Sequence, residues 1–245
     1  MKRFSDYDAL AWIYNTYWAE PQQRYWPPLE SLVLTDVPAG GHILDLCCGT
    51  GQLAAELGAR GLDVTGVDGS SEMLRFARDN APQAQFVLSD ARALELPPTF
   101  HGAVSQFGSL NHVMTLEELG SVFERVHTSL LPGGRFLFDL NTEEGFLARW
   151  NGSFVGHAED DHAFIAGGTY DREAKVGRFS VTMFVLRDGG WRRSDVLLTE
   201  RVYSKEEVCE ALGAAGFRTA RAFDARADLG LDEIGRAFFL GEKSS

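Results

Sequence analysis

The run HILDLCCGTGQLA, residues 42–54, places an aspartate, two adjacent cysteines and two glycines in one short segment. Metal or redox chemistry would need spaced ligands. Cys47 and Cys48 are instead neighbours, and no His or Cys cluster lies nearby in sequence to complete a tetrahedral set, so no metal is expected. Cysteine is small and apolar and suits a crowded strand end. A nucleotide loop is the stronger reading. GTGQLA (49–54) fits G-x-G-x-x-[GA], follows an apolar strand pattern and opens a helical one. Asp68 ends the next strand pattern, where a carboxylate accepts hydrogen bonds from two ribose hydroxyls; a turn-forming Asp before Gly69 and Ser70 is the alternative.

Asp45, four residues before Gly49, separates the nucleotide ligands from one another. A dinucleotide sets its pyrophosphate at such a loop and helix N-terminus. Two like charges at ~4 Å and an effective dielectric of ~20 cost on the order of 4 kcal/mol, so a carboxylate there repels phosphate. The sign reverses for an ammonium. S-adenosylmethionine carries an ammonium, a sulfonium, a ribose and an adenine but no phosphate, and Asp45 favours it. Two alternatives stand beside it: a nicotinamide-dependent oxidoreductase, and a non-catalytic module that binds S-adenosylmethionine.

The elements that must hold these residues follow from the alternation of apolar runs with helical patterns, the signature of a parallel α/β sheet. Strands are predicted at 42–46, 63–68, 86–89, 103–107 and 135–140, and later at 217–223 and 236–240. Helices are predicted at 51–60, 71–80 and 116–131, with a short turn after 91. Thr115 with Glu118, and Ser204 with Glu207, have capping-box spacing, and LPGG ends the third helix. Residues 151–203 read as an inserted antiparallel sheet. Phe179, Val181, Met183 and Val185 share one face, Arg178, Ser180 and Thr182 the other, and Asp188-Gly189 supplies a tight hairpin. The core is then 41–150 with 204–245, and 1–40 is an N-terminal helical cap. Tyr7, Leu10, Ala11 and Tyr14 share a helical face, fit either to cover the sheet edge or to close over a ligand.

The chain resembles the class I S-adenosylmethionine-dependent methyltransferases. Asp45-Leu46-Cys47-Cys48-Gly49-Thr50-Gly51 is similar to their first motif, with Cys47 where glycine is commonest. VDGSSEML (67–74) resembles the second, LSDARAL (88–94) the third, QFGSLNHV (106–113) the fourth, and LLPGGRFLFDLN leads into the fifth strand. The resemblance implies a doubly wound, mostly parallel seven-stranded sheet, with the inserted sheet as a lid. It also implies a donor site at Asp45, Cys47, Gly49, Thr50, Gly51, Asp68, Gly69, Met73, Asp90, Ala91 and Gln106. Of these, Met73 would pack on adenine, while Asp90 and the Ala91 backbone would address its edge. The aromatic YDxLAxxY segment and the insertion narrow the resemblance to bacterial small-molecule enzymes, including glycine N-methyltransferases and amino-sugar N,N-dimethyltransferases. Phe100-His101 and Gly108-Ser109-Leu110-Asn111 depart from those relatives, leaving an acidic side chain missing at the pocket edge.

The expected reaction is methyl transfer to nitrogen or oxygen of a small molecule. Tyr7, Tyr14 and Trp18 are candidate cap residues, Tyr14 foremost, each equally suited to packing. His112 is a candidate base just past the fourth strand, or a helix-entry residue; His157 and His162 in the insertion are further candidates. Asp139 and Asn141 either bond substrate or hold their loop. A net charge of −12 argues against nucleic acid, whose binding rests on Lys and Arg, and RDGGWRR (187–193) reads as a hairpin tip. With 44% hydrophobic and 24% charged residues, no signal peptide and no membrane span in the sequence, a cytoplasmic monomer or homodimer is expected.

Overall fold

The computed structural model describes residues 6–19 and 22–245. Short helices open it: a 3₁₀ turn at Asp6–Leu10, α1 (Ala11–Ile13), a π-turn at Tyr14–Trp18, and α2 (Trp26–Leu32). Then follow β1 (His42–Leu46), α3 (Gln52–Ala59), β2 (Asp63–Asp68), α4 (Ser71–Asn80), β3 (Gln85–Leu88) and β4 (Phe100–Ser105). After these come α5 (Leu116–Ser129), β5 (Leu130–Asn141) and α6 (Glu143–Arg149). Four strands follow: β6 (Asn151–Ala158), β7 (His162–Asp171), β8 (Val176–Arg187) and β9 (Gly190–Arg201). The chain closes with α7 (Lys205–Ala214), β10 (Thr219–Asp224) and β11 (Arg236–Glu242).

The seven-stranded sheet has the order β10-β11-β5-β4-β1-β2-β3. Strands β1 to β5 pair parallel, and β11 runs antiparallel to both β5 and β10. β1 explains the architecture. All but its first residue are buried, as a strand covered on both faces requires. Ile43 packs with Leu53, Leu57 and Leu137 on one face; Leu44 and Leu46 pack with Phe123, Phe136 and Phe138 on the other. Because β1 pairs with β2 on one side and β4 on the other, the crevice beyond their carboxyl ends is where open α/β sheets take ligands.

The insertion forms a second, antiparallel sheet in the order β6-β7-β8-β9. Asp188 and Gly189, with φ of 51° and 74°, make the predicted two-residue hairpin between Arg187 and its partner Gly190. Val181 and Met183 are buried against Leu10 and Ile13, whereas Arg178 and Ser180 are exposed. The N-terminal segment thus fills the space between the inserted sheet and α4.

Three local readings change. The third predicted helix stops at Ser129 rather than at 131, because Leu130 already pairs with Phe100 across a bulge. Its capping box is half formed: Thr115 accepts from the Glu118 N–H, but the Glu118 carboxylate turns to Arg92. The fourth strand ends at Ser105, since Phe107 and Gly108 take φ of 62° and 69° and leave the sheet. Helix α6, unread in the sequence, is only seven residues long and includes Gly145. A Cβ there would lie 2.3 Å from the Gly235 carbonyl oxygen.

Candidate functional site

A cavity of about 300 Å³ opens at the carboxyl ends of β1, β2 and β4. Tyr14, Cys47, Gly49, Asp68, Gly69, Met73, Asp90, Ala91 and His112 line it, together with Tyr7 and, from β9, Leu198 and Thr199. Asp45, Thr50, Gly51 and Gln106 do not line it and stand behind the lining.

The floor is built by backbone geometry. Cys47 has a φ of 59°, in the left-handed region, which accounts for glycine being commonest at that position in the resembled motif. Gly49, with φ of 55°, lets the Tyr14 ring approach: a Cβ there would lie 3.7 Å from Tyr14 Cε1. Gly51, at φ 84°, caps α3, and a Cβ would meet Ala77 at 2.9 Å. The Thr50 carbonyl accepts from Asn80. Gly51 and Thr50 therefore brace the turn against α4. Burial pushes both the Cys47 and Cys48 thiols up, so neither is a thiolate at neutral pH.

Two carboxylates face this loop. Asp68 accepts from the backbone N–H of Gly49 at 2.9 Å and of Ser70 at 2.8 Å, which aims its remaining lone pairs along the cavity wall. Burial raises its carboxyl, and those backbone bonds oppose the rise. Asp45 is 2% exposed, and its Oδ2 has no hydrogen-bond partner among the described residues. Burial first, and the Asp68 charge second, raise it to about 7. A buried carboxylate in this condition is a receptor for a cation or a donor. Nearby, both amide atoms of Gln106 are buried and unpartnered among the described residues. At the opposite wall Asp90 is clasped by Arg92, whose guanidinium also reaches Glu118 at 2.6 Å and holds the Asp90 carboxyl below its ordinary range.

Under the roof, the Tyr7 hydroxyl lies 2.8 Å from His112 Nε2, and His112 Nδ1 lies 2.9 Å from the Thr199 carbonyl. A carbonyl only accepts, so Nδ1 carries the proton of the neutral ring and Nε2 accepts from Tyr7. Burial pushes the Tyr7 phenol well up, so it remains an O–H group. Asp139 receives the Phe107 and Gly108 N–H groups at 2.8 and 2.9 Å and pairs with buried Arg236; it holds the loop between β4 and α5. Asn141 binds Asn111 through its N–H and Glu200 through its side chain. Trp18 packs edge-on against Phe164 and Phe179. His162 bonds Tyr17 and Asp161, and His157 pairs with Glu159 at 3.1 Å. None of these last three residues lines the cavity.

Glu200, Thr199 and Leu198 went unread in the sequence. They lie on one strand of a sheet whose alternation reports only which face is covered, and it takes the folded insertion to carry them to residue 112. No group of three or more His, Cys, Asp or Glu residues arranged to hold a metal occurs among the described residues. No helix among them is long and apolar enough to cross a membrane.

Comparison with known proteins agrees with this geometry. A family model described as a methyltransferase domain matches residues 43–134. The dTDP-3-amino-3,4,6-trideoxy-alpha-D-glucopyranose N,N-dimethyltransferase of Streptomyces venezuelae is 33% identical over 194 residues, 78% of this chain and 81% of that protein. The crystal structure of Streptomyces venezuelae DesVI superposes with a TM-score of 0.75 at 25% identity, covering 96% of this chain and 98% of that one. An S-adenosylmethionine-dependent methyltransferase from Clostridium acetobutylicum shares the fold, with a TM-score of 0.78 at 20% identity over 98% of this chain and 100% of its own.

Proposed function

Given that the chain belongs to the class I S-adenosylmethionine-dependent methyltransferases, we propose that it methylates a nitrogen or oxygen atom of a small-molecule acceptor. The residues present fit the donor. Asp45, buried with an unpartnered oxygen, suits the ammonium, and Asp68 suits the ribose hydroxyls. Met73 and Ala91 offer apolar surface for the adenine between them. When bound, S-adenosylmethionine supplies an electrophilic methyl carbon on a cationic sulfur. A carboxylate at position 45 would repel the pyrophosphate of a nicotinamide dinucleotide, which speaks against the oxidoreductase alternative.

The observation that carries the acceptor assignment is the Tyr7–His112 pair in the cavity roof. An attacking amine or hydroxyl sheds one proton for each methyl group it gains. Tyr7 can receive that proton while passing its own to His112 Nε2, the acceptor position of the neutral tautomer. The remaining roof is apolar or aromatic, from Tyr14, Phe107, Leu110 and Leu198, and keeps water away from the transferring carbon. Orientation then supplies most of the acceleration. The sugar dimethyltransferase relative acts on an amino group, which supports nitrogen as the favoured acceptor atom.

Incubating the enzyme with methyl-labelled S-adenosylmethionine and a metabolite extract, then analysing products by mass spectrometry, tests this reading. The expected product is a small molecule labelled on nitrogen or oxygen, formed about 100-fold more slowly by Tyr7→Phe. A label on carbon, or in macromolecules alone, would contradict the assignment.

A further inference from the structure

Glu200 is a buried carboxylate that donor binding leaves unused. It is 8% exposed and is not among the residues that line the cavity. One of its oxygens accepts from Asn141 Nδ2 at 3.2 Å; the other lies 3.7 Å from His112 Nε2. The charged and titratable groups facing it are few. Arg149, from α6, is committed to the Asn141 Oδ1 at 2.7 Å and the Ile234 carbonyl. Arg236, from β11, is committed to Asp139. Tyr7 faces it from the N-terminal segment, and Glu200 opposes ionisation of that phenol. His112 is therefore the ionisable group within ion-pair distance of Glu200 among the described residues.

We propose that Glu200 is a positioning residue of the transfer reaction, holding the imidazolium that forms when His112 Nε2 takes the acceptor's proton from Tyr7. The proposal rests on the acceptor reading given above. In the resting ring Nδ1 donates to the Thr199 carbonyl and Nε2 accepts from Tyr7, and the Glu200 oxygen stands 3.7 Å away without a hydrogen bond to make. As the acceptor nitrogen's lone pair forms its bond to the methyl carbon, the carbon–sulfur bond breaks with its pair left on the neutral thioether sulfur; the N–H pair stays on nitrogen and the proton passes to the Tyr7 oxygen. The Tyr7 proton moves in turn to Nε2. The ring then presents an N–H and a full positive charge beside a fixed carboxylate, whose other oxygen Asn141 holds in place. An opposite charge within about 4–6 Å favours the charged form, and Glu200 is the carboxylate at that distance from the ring. A buried carboxylate is a cost to the fold unless charge or hydrogen bonds offset it, and here Asn141, Arg149 and Arg236 share that task with His112.

Nuclear magnetic resonance tests this on the full chain saturated with S-adenosylhomocysteine, with no acceptor needed. In the parent, the Glu200 carboxyl ¹³C resonance is expected to shift at the pH where the His112 ring nitrogens report uptake of a second proton. In Glu200→Gln the chemical shift of His112 Nε2 is expected to change, because the carboxylate beside it is gone. With the acceptor found by label transfer, the same variant should lose kcat about tenfold while KM stays within twofold. A carboxyl resonance that ignores His112 overturns the proposal in the parent protein alone, even if the variant fails to fold. An unchanged kcat in Glu200→Gln overturns it also. Coupling between the two residues without any small-molecule methylation would instead sink the acceptor reading, so the two failures are distinguishable.

Discussion

At the scale of single residues, Asp45 is the most informative position in the chain. Its carboxyl is raised to about 7 by burial, against about 4 in an unfolded chain, so the folded protein binds the extra proton between those values. Stability from this group is therefore full below pH 4 and falls as the pH rises through 7, by a few kcal/mol at most. Asp45→Asn is expected to be more stable than the parent at pH 8, by about 2–4 kcal/mol, with the advantage shrinking as the pH falls and gone below about pH 4; chemical denaturation at about pH 8 and about pH 3.5 checks this. The proposed reason to keep a costly aspartate here is a charge for the donor's ammonium. In the sequence, Asp45 stands out as a candidate from its place four residues before Gly49, and Asp68 from its place at the end of the second strand. The left-handed backbone of Cys47 was not, because a non-glycine residue hides a positive φ. Asp139 was legible only as an alternative, and the structure resolves it in favour of holding the loop.

At the scale of elements, the inner strands β1, β2 and β4 were readable because nearly all of their residues are buried, so short apolar runs mark them. The Asp188-Gly189 hairpin was readable from turn chemistry. Neither α6 nor the changing helix types of residues 6–18 could be read, since each stretch is too short to establish a period. That N-terminal segment matters for function: Leu10 and Ile13 fasten it to Phe164, Val181 and Met183 of the inserted sheet, and Tyr7 and Tyr14 hang from it into the cavity. Asp8 ties it to the donor loop as well, accepting from the Ser70 hydroxyl at 2.6 Å. Ile13→Ala should cost about 2–5 kcal/mol of this docking. Hydrogen exchange is expected to quicken in residues 6–18 and in β7 to β9, while β1, β4 and β5 keep their protection; uniform loss across both sheets would contradict a separately docked cap.

At the scale of the whole molecule, the two sheets divide the work. The carboxyl ends of the parallel sheet form the cavity floor, and the antiparallel sheet contributes Leu198 and Thr199 to the lining, with Glu200 beside His112; under the proposed function these are the donor and acceptor sides. A net charge of −12, with Asp68 and Asp90 in the cavity and Arg92 neutralised by its two acidic partners, makes the interior hospitable to a cationic donor. The central claim is that this donor rests on the carboxylates at the ends of β1 and β2. Calorimetric titration at pH 8 with S-adenosylhomocysteine, and separately with NADH, tests it most directly in the parent and in Asp68→Ala. The account predicts that the parent binds S-adenosylhomocysteine and not NADH, and that Asp68→Ala, still folded, binds about 10- to 100-fold more weakly through loss of charge-assisted hydrogen bonds. An affinity unchanged in Asp68→Ala, or NADH bound at the same site, would contradict it.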